Sequence, residues 1–165
     1  MKNFSAIIIL LAFLGGVAWL VSRDGRETKL ANETAAPTRT IQLYYYNQTL
    51  DPGGLCQSAA VQPVIRHVPI TSTPIQDAVK LLLQGERSSD ERARGFTTEF
   101  PLEGVELAGA NLENGFLTLE FKDPQNKTTG GSCRVSLLWA QIEKTALQFE
   151  EVEEVHFIPE ELFQP

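Results

Sequence analysis

The sequence predicts an α+β domain. Three observations carry that expectation: a period-two apolar run at residues 41–46, a proline-led helix start at Thr73 and Pro74, and an Asn114-Gly115 pair between two strand-like runs. The expected architecture is one mostly antiparallel sheet of about four to five strands with two helices on one face. Its order is β(β)αββαβ, preceded by a single transmembrane helix.

That first helix is residues 4–21, eighteen positions without a charge. At about 1.5 Å per residue such a run spans roughly 27 Å, close to the thickness of a hydrocarbon core. A cleaved signal peptide is the competing reading, because the amino terminus and Lys2 supply the short positive region that signals also have. Length favours an anchor, as does the boundary at Trp19, Leu20 and Val21, which offers no small-x-small cleavage site and puts a Trp at the interface. Residues 1–21 are therefore expected to be a signal anchor. Residues 22–39 are polar and aperiodic and read as a disordered tether. Residues 40–165 have the length of one domain.

Within that domain Ile41, Leu43 and Tyr45 alternate with Gln42, Tyr44 and Tyr46, as in a half-buried strand. Residues 64–70 are β-branched and closed by Pro69, which suits an edge strand. Thr73, Pro74 and Gln76 then form a helix start with N-cap hydroxyl, proline at the first position and a capping-box glutamine. Ile75, Ala78, Val79 and Leu82 make its apolar stripe, and Gly85 ends it. Residues 86–95, with Arg87, Arg92 and Arg94, read as a solvated loop.

Residues 105–112 and 116–121 form the expected hairpin, with a bulge at Gly109 where the alternation fails. A second helix is expected over about 133–149, with Ser132 as N-cap and Val135, Leu138, Trp139, Ile142, Ala146 and Phe149 facing the core. Residues 152–158 alternate again and supply the last strand.

Charge and cysteine count narrow the functional classes. Residues 40–165 hold nine Lys and Arg against eighteen Asp and Glu, so nucleic acid and anionic lipid are poor partners. The only cysteines, Cys56 and Cys133, lack a CxxC spacing. Behind an export-type segment they read as one disulfide in an oxidising compartment, and two free thiols in a reducing cytosol are the other reading. A loop of that length would contribute about 4–5 kcal/mol in the chain-entropy model.

No arrangement of residues points to a reaction. His67 and His156 could join Cys56 and Cys133 as zinc ligands only as four singletons, without the close pairs of structural zinc sites. There is no GxSxG, so Ser136 has no nucleophile elbow, and Ser132 after two glycines reads as a cap. Glu150, Glu151, Glu153, Glu154, Glu160 and Glu161 could bind calcium or act as a glycosidase pair, yet a solvated face suits them better. Tyr44, Tyr45 and Tyr46 could form a sugar platform, but strand aromatics pack, one inward and two over neighbours. Sequons stand at Asn32, Asn47 and Asn126 and matter only in a host that glycosylates them. No catalytic residue, metal or cofactor is assigned.

The order of motifs resembles the GerMN domain of bacterial sporulation and spore-germination proteins, found also in envelope lipoproteins. The resemblance rests on VIRHV at 64–68, AVKLLLQG at 78–85, GFTTEFP at 95–101, the hairpin, AQI at 140–142, TALQF at 145–149 and VEEV at 152–155. It covers most of residues 40–158. It implies a non-catalytic, extracytoplasmic module of envelope assemblies, with a fold similar to the ring-building motifs of secretion systems. No lipobox cysteine follows the apolar run, Glu86 stands where members often have proline, and the chain ends without the usual glycine turn. The cysteine pair is not a family requirement.

The resulting expectation is a single-pass protein of the cell membrane with its domain on the extracytoplasmic side, binding an envelope protein or itself. A cell-wall glycan binder or hydrolase using the acidic and aromatic surface is the alternative.

Overall fold

The computed structural model describes residues 36–163. The apolar segment at 4–21 and residues 22–35 of the expected tether lie outside them. Among the described residues no helix is long and apolar enough to cross a membrane.

Strand β1 (Thr38–Asn47) starts two residues before the expected boundary, and Pro37 already accepts a hydrogen bond from the Ile70 amide at 3.1 Å. Its alternation is the one read from sequence, with Ile41, Leu43 and Tyr45 buried. Strand β2 (Val61–Pro69) pairs antiparallel with it, Gln42 facing Ile65 and Tyr44 facing Pro63. Helix α1 (Pro74–Leu83) buries Ala78, Val79 and Leu82 as predicted. Its cap differs from expectation. The Thr73 hydroxyl turns to Asp77 Oδ2 at 3.4 Å and Gln76 Nε2 reaches the Ala110 carbonyl at 3.4 Å, so no capping box forms. The hydroxyl donates its proton to the Asp77 carboxylate, and its oxygen accepts from no helix amide.

The charged stretch expected to be a solvated loop contains helix α2 (Ser89–Ala93), with a capping box between Ser88 and Glu91. Strand β3 (Phe96–Thr97) follows and pairs antiparallel with the end of β1. Strands β4 (Glu106–Glu113) and β5 (Phe116–Lys122) form the predicted hairpin. Asn114 and Gly115 both have positive φ, 51° and 86°, as a two-residue turn of this hand requires, and the register shifts between Leu107 and Gly109 where a bulge was expected. Helix α3 (Ser132–Ala146) is capped by Gly131, one residue before the expected Ser132. Strand β6 (Glu154–Ile158) closes the fold parallel to β5.

Among the described residues the single sheet with two helices on one face is therefore corrected to two three-stranded sheets and three α-helices. One sheet has the order β2-β1-β3 and is antiparallel; the other has the order β4-β5-β6 and is mixed. They cannot merge through β1, because its second edge is already taken, by β3 at Tyr46 and Asn47 and further back by the side chains of Thr145, on α3, and Gln148, just beyond it. A single cluster of buried residues still runs through both, joining Leu43 and Val64 of the first sheet to Leu82, Ile142, Leu119 and Phe157. Trp139 packs edge-on against Phe157 at 4.4 Å between centroids.

Candidate interaction surface

The two cysteines meet because the loop after β1 is built around a buried carboxylate. Asn47 Oδ1 caps a short 3-10 turn through the Thr49 amide at 3.0 Å and hydroxyl at 2.6 Å. Asp51, 4% exposed, accepts from the Tyr46 hydroxyl at 2.9 Å and from the amides of Leu55 and Gln57 at 3.0 and 3.2 Å. Burial works against its charge, but these donors hold its carboxyl below the ordinary value. The turn carries Cys56, with φ at 56°, to the start of α3, where it is joined to Cys133 with a Cα separation of 5.2 Å. This is the pairing expected from the cysteine count.

The other candidate residues are not brought together. His67 lies on β2 within 3.2 Å of the Thr40 hydroxyl, and His156 lies on β6 beside Glu154 at 3.1 Å. Among the described residues no three metal-ligating side chains converge. The six glutamates of residues 150–161 are spread over an exposed turn, β6 and the final turn. Each described cleft is lined by at most one carboxylate: Glu99, Glu86, Glu160 or Glu151. Ser132 and Ser136 are exposed.

The three tyrosines diverge. Tyr45 is fully buried and donates to the Glu86 carbonyl, Tyr44 donates to Gln42 Oε1, and Tyr46 to Asp51. Burial pushes the Tyr45 hydroxyl up to about 12. Of the sequons, Asn47 is buried, Asn126 is exposed and Asn32 lies outside the described residues.

Sequence reasoning missed the ion pair that ties α2 to the first sheet. Arg66 of β2 meets Glu91 in a two-pronged contact at 2.6 and 2.8 Å, and also donates to the Glu86 carbonyl at 3.0 Å. The pattern Ser88-x-x-Glu91 was the available signal for this helix. Hydrogen bonding to Arg66 holds the Glu91 carboxyl below its ordinary range against the opposing pull of burial.

Arg66→Met, which leaves that carboxylate without its cation, is expected to cost about 2–4 kcal/mol in urea unfolding. The expected pH dependence has a definite sign. A depressed folded pKa gives stability that is fully present above the unfolded value, about 4.3 for Glu, and is lost as pH falls through the folded value. Asp51 and Asp123 are depressed too, so they add to the same acid loss. The urea midpoint should therefore drop below about pH 4.3, and by less in Arg66→Met.

Side chains cover the edge of β1 that β3 leaves open. Gln148 places its amide against β1 like a neighbouring strand, accepting from Gln42 N at 2.7 Å and donating to Gln42 O at 2.7 Å. Thr145 accepts from Tyr44 N at 3.1 Å. Where α3 hands over to β3, a cleft of about 230 Å³ opens among Tyr46, Thr98, Glu99, Arg134 and Gln141. Gln141, 2% exposed, donates to the Leu137 carbonyl at 2.9 Å, while its Oε1 has no hydrogen-bond partner among the described residues. Gln141→Met removes this orphan acceptor at similar volume. It should raise the unfolding free energy by about 1 kcal/mol, measured by urea denaturation.

The second sheet shows a bare outer face. Phe116 and Ile158 are each 49% exposed there, and the Phe116 ring lies 6.0 Å from His156. Thr118, Glu120 and Glu154 share this face through the pleat and the β5–β6 register.

No protein of curated function matches the chain. The solved tandem GerMN domains of the sporulation protein GerM from Bacillus subtilis are similar at TM-score 0.55 and 21% identity, over 79% of this chain and 42% of that one. The chain thus spans less than half of that structure, and at this identity the likeness is one of fold. The first GerMN domain of the same protein is similar at TM-score 0.49 and 15% identity, over 72% of this chain and 80% of that one. The model of the family Germane, described as sporulation and spore germination, matches residues 42–160, most of the chain, and the protein belongs to that family.

Proposed function

We propose that this protein is a non-catalytic interaction module of the bacterial envelope. The apolar segment at 4–21 anchors it, and its domain lies on the outer side of the membrane, where it binds an envelope protein or a second copy of itself. The observation that carries the reading is the bare outer face of the second sheet, where Phe116 and Ile158 on neighbouring strands are each 49% exposed; Leu50, Leu55, Ile65, Ile70 and Leu147 are exposed elsewhere, outside this sheet. Exposed apolar groups rimmed by charge are suited to protein contacts. Family membership supports the reading, and so does the disulfide, which suits an oxidising compartment.

Affinity capture of the full chain from native membranes tests it. A stoichiometric envelope protein or a homo-oligomer is the expected result. Degradation of peptidoglycan by the purified chain, abolished by Glu→Gln changes among residues 150–161, would overturn the reading in favour of a hydrolase.

A further inference from the structure

Strand edges recruit other strands through unpaired N–H and C=O groups, so each outer edge of the two sheets can be tested in turn. On β2 the phase of pairing follows from β1: Gln42 and Tyr44 turn their amides away from β2, to Gln148 and Thr145, so the facing residues Ile65 and Pro63 turn theirs outward. The outward positions of β2 thus include Pro63 and Pro69, which have no N–H to offer. Strand β3 is two residues long. On β4 the bulge breaks the regular spacing, α1 packs alongside, and Gln76 occupies the Ala110 carbonyl.

Strand β6 has none of these devices. Its five residues run in unbroken register with β5, and no described strand pairs with its other side. The Glu154 amide donates to the Gly115 carbonyl at 3.2 Å. By alternation Glu154, His156 and Ile158 face β5, and the backbone groups of Val155 and Phe157 point out of the sheet. That edge borders a groove of about 390 Å³ with Thr118, Trp139, Ile158 and Glu160 in its walls.

The two sides of the groove differ in chemistry. Val155, Phe157 and Trp139 make the inner side apolar. On the outer side Glu154 and His156 are exposed, and residues 150–161 carry six glutamates with no Lys or Arg. A strand added here would turn alternate side chains to each side, so an alternation of apolar with basic residues is complementary to both.

We propose that the outer edge of β6 accepts, as a fourth strand, an extended segment of an envelope protein in which apolar residues alternate with Lys or Arg. The inference rests on the interaction-module reading and names its site and partner chemistry.

The test is amide hydrogen exchange on the full chain in detergent micelles. The probe is a ten-residue peptide of alternating Val and Lys. Alternating Val and Glu, and alternating Pro and Lys, are the controls. In the free chain the Val155 and Phe157 amides should exchange much faster than those of His156 and Ile158. Saturation with the Val–Lys peptide should slow them at least roughly tenfold, and neither control should. Glu154→Lys, at an exposed position, should weaken the Val–Lys peptide by roughly tenfold, with the urea midpoint of the free chain unchanged.

Equal protection by the Pro–Lys peptide would reduce the effect to charge and overturn strand addition. So would protection appearing on β2 or β4 instead, or Val155 and Phe157 already protected in the free chain, as a second copy or the chain's own residues would do. If capture returns a partner whose binding survives Glu154→Lys and leaves these amides fast, this inference fails and the module reading stands. Peptidoglycan hydrolysis would remove the module reading whatever β6 does.

Discussion

Replacing Gly85 with alanine is expected to remove about 4 kcal/mol of stability, a large share of the 5–15 kcal/mol of an ordinary domain. Gly85 ends α1 in the left-handed region, with φ at 66° and its amide donating to the Leu82 carbonyl at 2.9 Å. A β-carbon there costs about 1–2 kcal/mol from backbone sterics alone. The larger part is collision, because that carbon would lie 1.9 Å from the Phe100 carbonyl oxygen and 2.4 Å from its carbon. Both obstacles are backbone and cannot swing aside, so α1 or the segment after β3 must move, at about 1–3 kcal/mol. Gly53→Ala is the matched control: its β-carbon would meet only the Leu55 side chain at 3.5 Å, and the change should stay within about 0.5 kcal/mol. Urea unfolding of the two variants side by side checks both. Equal midpoints would show that the close approach at Phe100 is absent.

Loss of the disulfide is the second large effect. Cys56 and Cys133 close a loop with a sequence separation of 77 residues. The chain-entropy model gives about 4–5 kcal/mol for a loop of that size, and removal of a native disulfide costs about 2–5 kcal/mol in small secreted domains. Asp51 already holds the Cys56 loop in place through the Tyr46, Leu55 and Gln57 contacts, so some order should survive the loss. The expected cost of Cys56→Ser with Cys133→Ser is therefore about 3–4 kcal/mol, read from the urea midpoint. Reductant should lower the midpoint of the parent chain by a similar amount and leave that of the double variant unchanged. A parent chain indifferent to reductant would contradict the pairing.

Features governed by local rules were legible in the sequence. The alternation of β1, the Asn114-Gly115 turn, the bulge at Gly109, the stripe of α3 as far as Ala146 and the stop at Gly85 all follow from single-residue geometry or one periodicity and are where they were expected; only Phe149, the last of the stripe, lies beyond the helix, which ends three residues early. Helix α2 was missed because its five residues bury only Glu91, which leaves no apolar period to see. The division into two sheets was missed for a different reason. It depends on which group closes the edge of β1, and the hydroxyl of Thr145 on α3 and the side-chain amide of Gln148 just after it resemble any other polar groups until the helix is docked. Parallel pairing of β6 with β5 likewise follows from where α3 returns the chain, which no alternation pattern encodes.

The candidate surface was read only in part. The cysteine pair was visible as a count, and the acidic run as a charge pattern without a partner. The outward amides of Val155 and Phe157 were not, because both side chains are buried and the residues read as core. Only the register with β5 separates a buried side chain from an open backbone.

The proposed role depends first on which side of the membrane the domain occupies. Counting free thiols under denaturation, on protein isolated from its native membranes with its thiols blocked at lysis, tests that most directly. A domain outside the membrane should yield none, with Cys56 and Cys133 recovered as a linked pair. Two free thiols would contradict it.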